Sequence, residues 1–66
     1  MKYRWVDGTA HHILVVNGGY KALVSMHAPY VVSLLNPKQY GWDRQETVYT
    51  SKAEAEAVAV ALVAMR

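Results

Sequence analysis

Three histidines carry the most obvious chemical potential in this chain: His11 and His12, adjacent to one another, and His27 further on. An imidazole ligates transition metals and titrates near neutrality, so the first question is whether two of them can share an ion. Adjacent residues in a strand point to opposite faces, which prevents His11 and His12 from chelating together. His27 approaches one of them across a hairpin at best, and two ligands without a third make no site. The sequence therefore predicts no metal and no cofactor.

Catalytic groupings are equally sparse. Ser25, Ser33 and Ser51 lie in no nucleophile elbow and beside no base, and Asp7 and Asp43 fall in segments where Asp is expected for local turn hydrogen bonding. Glu54 and Glu56 are two residues apart on an expected helix, so they diverge rather than pair as acid and base. Gly18-Gly19 follows one strand and leads into another, so no helix N-terminus is offered to a phosphate. Without cysteine there is neither a thiol nucleophile nor a disulfide framework. The expectation is a protein that is not an enzyme.

Binding chemistry is better represented. Lys2-Tyr3-Arg4-Trp5 and Lys38-Gln39-Tyr40-Gly41-Trp42-Asp43-Arg44 interleave cations with aromatic rings. Such a surface can stack bases and neutralise phosphates, which makes Lys2, Arg4, Lys38, Trp42 and Arg44 the candidate residues for a nucleic-acid-binding reading. A formal net charge of +2 is weak for a surface that tracks a phosphate backbone. Trp, Tyr and Arg also dominate protein-binding hot spots, so Lys38, Tyr40, Trp42 and Arg44 are the expected contacts for a protein partner. The alternative for Trp42 is a lid folded down over the core.

The elements that must position these residues are punctuated clearly. Asp7-Gly8 and Asn17-Gly18-Gly19 separate segments rich in Val, Ile, Tyr and Trp, and both dipeptides suit tight hairpin turns. This predicts strands over 2–6, 10–16 and 20–27, with Pro29 breaking the ladder. A fourth strand is expected over 30–35, a loop over 36–44, and a short fifth strand over 45–49. Ser51-Lys52-Ala53-Glu54 has the form of a capping box, and the residues after it are strong helix formers without Gly or Pro. A helix over 52–65 follows. The expected fold is α+β: an antiparallel meander of four to five strands with one C-terminal helix packed on one face, in a single domain over 1–66.

With 66 residues the chain can bury only roughly 60% of its unfolded surface, which limits it to one small core. Apolar residues make up 53% of it, more than that core needs. On a helical wheel Val60, Ala53, Ala64, Ala57, Ala61, Met65, Val58 and Leu62 fill an arc of about 200°, while Ala55, Ala59 and Val63 fall on the outer side. The strand segments Ile13-Leu14-Val15-Val16, Ala22-Leu23-Val24 and Tyr30-Val31-Val32 do not alternate, so both faces of the sheet are apolar. One helix covers one face. The surplus predicts association, with Ala55, Ala59, Val63, Leu14 and Val16 as the expected dimer interface.

No apolar run reaches the roughly 20 residues that span a bilayer, and Met1 to Trp5 has no apolar leader core, so a soluble, cytoplasmic protein without membrane partners is expected. In size and layout the chain resembles the compact proteins with which phages and other mobile elements obstruct host complexes, although no motif carries that likeness. The leading expectation is a non-catalytic protein-interaction module, homodimeric, that binds and blocks a partner. A small nucleic-acid-binding protein and a structural subunit of a larger assembly are the alternatives.

Overall fold

The structure, a computed structural model, describes residues 2–36, 38 and 41–65. Five strands, β1 (Tyr3–Asp7), β2 (His11–Val16), β3 (Gly19–Ser25), β4 (Tyr30–Asn36) and β5 (Gly41–Tyr49), precede one helix, α1 (Lys52–Ala64). The strands form one antiparallel sheet in the order β1-β2-β3-β4-β5, so each pairs with its neighbour in the chain. This is the expected α+β meander with a C-terminal helix.

The two glycine turns work differently. Asn17 and Gly18 have φ values of 51° and 82°, the pair of positive angles of a two-residue hairpin turn, and Val16 pairs with Gly19 across it. Gly8 has no positive φ. It is required for space, because a Cβ there would stand 3.1 Å from the His11 carbonyl oxygen and 3.2 Å from Ile13 Cδ1. Its amide donates to that same carbonyl at 2.8 Å, which closes the β1–β2 connection.

Between β3 and β4 the chain is tied by Ser25. Its Oγ accepts the Val31 amide hydrogen at 2.8 Å and donates to the Pro29 carbonyl at 3.0 Å, spanning the Met26–Pro29 connection. The peptide bond between Ala28 and Pro29 is cis.

β5 corrects the expected loop over 36–44, because Gly41 to Arg44 already belong to the strand. Asn36 pairs with Gly41, Leu35 with Trp42, Leu34 with Asp43 and Ser33 with Arg44, after which the register shifts and Val31 pairs with Val48. Gln45, Glu46 and Thr47 therefore oppose Val32 alone, an enlarged bulge in an edge strand. A strand with one unpaired edge tolerates charges at successive positions, and they protect that edge from pairing with another chain. The absence of alternation in Trp42-Asp43-Arg44-Gln45-Glu46 reflects this position.

The helix begins where the cap predicts. Ser51 is extended, with φ −114° and ψ 129°, and its side chain accepts the Glu54 amide hydrogen at 3.4 Å. Its orientation corrects the expected one. Ala55 and Ala59 are 0% exposed against the sheet, and Val60, Leu62 and Val63 pack on the same cluster, whereas Ala53, Ala57, Ala61, Ala64 and Met65 are exposed. The helix is apolar almost all the way round, so periodicity alone does not choose a face. Packing does, because two alanines four residues apart make a groove that lets the helix axis approach the bulky strand side chains.

The core lies between α1 and one face of the sheet. Leu14, Val16, Ala22, Val24, Val32 and Leu34 form it from the sheet side, with Trp5, Tyr30 and Tyr49 packed around them. The helix sits chiefly over β3 and β4 and reaches β5. Trp5, directly opposite Leu14 on β1, extends the cover toward the edge that the helix leaves.

Candidate binding face

Strand parity assigns every paired residue to one side of the sheet. Leu14 and Val16 face the helix, so Ile13 and Val15 face away. Their partners across β1 follow: Val6 stands opposite Ile13 and Arg4 opposite Val15. On β3, Leu23 pairs with Ile13 and with Ser33 of β4. On the β5 side Val31, Ser33 and Leu35 pair with Val48, Arg44 and Trp42. The helix-free face thus carries Val6, Ile13, Val15, Leu23, Val31 and Leu35, with the exposed Tyr20 opposite Val15 on β3 and with Trp42 and Val48 toward the β5 edge.

This face is apolar yet incompletely covered. Val15 and Val31 are buried and Ile13, Leu23 and Leu35 half-buried, while Trp42 is 41% and Val48 52% exposed. Apolar area of this kind, contiguous and without a second layer, is the usual mark of a contact surface. The expectation of two apolar sheet faces holds in this respect. The residues expected to make the dimer interface do not supply it, because Leu14, Val16, Ala55 and Ala59 are the chain's own core and Val63 packs against them. The signal for the open face was the parity of the non-alternating runs, which could be read only once the helix-facing set was known.

Cations flank the apolar middle. Arg4 is exposed on β1 and Arg44 is exposed on β5, both on the helix-free side. Lys2 joins Arg4, Val15 and Gly18 in lining a shallow hollow of about 260 Å³ beside the β2–β3 turn. Neither arginine is in an ion pair among the described residues. The carboxylates lie elsewhere. Asp7 and Asp43 stand opposite His12 and Leu34 and so belong to the helix side, and Glu54 and Glu56 are on α1. Glu46 sits in the β5 bulge without a cross-strand partner.

Of the residues expected to bind a protein partner, Trp42 and Arg44 come together on this face. Trp42 is not a lid on the helix-side core. Lys38 is exposed, its amide donating to Asn36 Oδ1 at 3.0 Å in the turn before β5. Tyr40 lies outside the described residues. The Asn36 side-chain amide also donates to Asp43 Oδ2 at 3.2 Å, which ties the start of β5 to the end of β4. Of the nucleic-acid candidates, Arg4 and Arg44 share the face but stand on opposite edge strands.

The histidines and serines have structural positions. His12 is 8% exposed and its Nδ1 lies 2.5 Å from Asp7 Oδ1, directly across the β1–β2 ladder, while His11 and His27 are exposed. Among the described residues no group of three His, Asp or Glu side chains is arranged to hold a metal ion. Ser25 bridges the β3–β4 connection and Ser51 caps the helix. No helix among the described residues is long and apolar enough to cross a membrane.

The chain matches no protein-family model, no curated protein and no solved structure.

Proposed function

We propose that this chain is a non-catalytic protein-binding module that presents the helix-free face of its sheet to a partner and acts by covering the surface it binds. The observation that supports this is the asymmetry of the sheet: one face is closed by α1 and Trp5, and the other leaves Ile13, Leu23, Leu35, Trp42 and Val48 at least partly open to solvent. Blockade of a partner in the manner of small inhibitors from phages or other mobile elements needs no chemistry beyond such a face. The test is a W42A/R44A variant. It is expected to keep the wild-type melting temperature, because both side chains lie outside the helix-side core, and to lose the proteins that the wild-type chain retains from a lysate. An unchanged set of retained proteins overturns the reading.

One arrangement favours nucleic acid as a second reading: Arg4, Trp42 and Arg44 share a face. It predicts Trp quenching by a single-stranded oligonucleotide that weakens steeply with salt.

A further inference from the structure

From the distribution of charge around the open face we infer that its occupant is a protein segment with an apolar middle and carboxylates on both sides, rather than a second copy of this chain. The inference rests on the binding-module reading and adds the chemistry of the partner.

Two observations carry it. The first is that the face has cations at both margins, Lys2 and Arg4 along β1 and Arg44 on β5, and that every carboxylate whose register or element fixes its side lies elsewhere. With the two-fold axis along the strands a second copy laid face to face would set β1 over β5, and with the axis across them β1 over β1, so in both the strands that carry the arginines meet. Like charges so juxtaposed work against the pairing, and carboxylates in those places favour it. The second observation concerns spacing. Four inter-strand steps of about 4.8 Å separate β1 from β5, so the two arginines stand roughly 20 Å apart across the sheet. Between them lie Ile13, Val15, Leu23 and Leu35, with the exposed Tyr20, opposite Val15, on the same face. A nucleic acid needs cations all along its phosphate track, whereas a mainly aliphatic strip with cations only at its two margins matches an apolar segment with an acid at each end. Trp42, exposed beside Leu35, supplies the aromatic anchor at the β5 end.

A random peptide library displayed on phage and selected against the full-length chain tests this directly. The selected peptides are expected to carry Asp or Glu on both sides of an apolar stretch. They are expected to bind the R4E/R44E variant about tenfold or more weakly, and to bind an A57E variant, altered on the outer helix surface, as they bind wild type. Peptides that lose binding to W42A but show no acidic enrichment and no loss with R4E/R44E keep the face and overturn its charge chemistry. Peptides indifferent to W42A, or no selected peptides, overturn both the inference and the binding reading beneath it. Light scattering across a dilution series provides the arm for a second copy: a dimer in wild type that W42A dissociates assigns the face to self-association and overturns the acidic occupant. Salt-sensitive quenching of Trp fluorescence by oligo(dT), abolished in R4E/R44E, overturns it in favour of nucleic acid.

Discussion

Trp42 stands directly across from Leu35 on the side of the sheet that the helix leaves open, whereas Trp5 stands across from Leu14 on the side the helix covers. The two tryptophans therefore answer to different substitutions. Trp5→Ala removes cover from the core and is expected to cost about 2–4 kcal/mol, in the range of large-to-small changes at packed aromatic sites. Trp42→Ala removes a side chain that is 41% exposed and is expected to cost less than about 1 kcal/mol. Urea unfolding of the two variants in parallel checks the contrast.

The helix seats on Ala55 and Ala59, both without solvent exposure. Ala59→Leu puts a branched side chain where the helix and sheet already touch, and overpacking of this kind costs about 1–3 kcal/mol. Ala57→Leu, on the exposed surface, is expected to change stability by no more than about 0.5 kcal/mol. Equal losses at the two positions would mean that the helix presents another face to the sheet.

Ser25 is expected to matter through its hydroxyl alone. Ser25→Ala leaves the Val31 amide without its 2.8 Å acceptor at a buried position, a loss of about 1–3 kcal/mol, while Ser33→Ala, on the open face, has no such bond to lose. Thermal melts of the two variants distinguish a tie across the β3–β4 connection from a general loss of polarity.

Gly18 isolates a backbone effect. Nothing lies within 4 Å of a Cβ built there, yet its φ is +82°, so Gly18→Ala meets conformational strain without any clash. A destabilisation of about 1–2 kcal/mol is expected from denaturant midpoints. Gly8→Ala is costly for the opposite reason, since its Cβ would press on the His11 carbonyl.

These pairs also show what the sequence made legible. Asn17-Gly18, Pro29 and Ser51 are local signals whose chemistry needs no distant partner, and the hairpin, the break and the helix start appear where those residues place them. The face that α1 turns inward was not legible, because alanines and valines surround the helix and only the depth of the groove at Ala55 and Ala59 chooses a side. The first half of β5 carries no strand signal because it is an edge strand: Asp43, Arg44 and Glu46 need no second neighbour there, and the register shift after Ser33 erases alternation. Trp42 and Arg44 were legible by type as candidates for binding. Their company, Ile13, Leu23 and Leu35, emerges only from the register that joins four strands.

Amide chemical-shift mapping shows whether the helix-free face is the contact surface. With an acid-flanked apolar peptide from the phage selection titrated into the labelled chain, the largest shifts are predicted at Ile13, Leu23, Ser33, Leu35, Trp42 and Arg44. Shifts concentrated at Ala53, Ala57 and Ala61 on the outer helix surface, with the open face unmoved, would contradict the account.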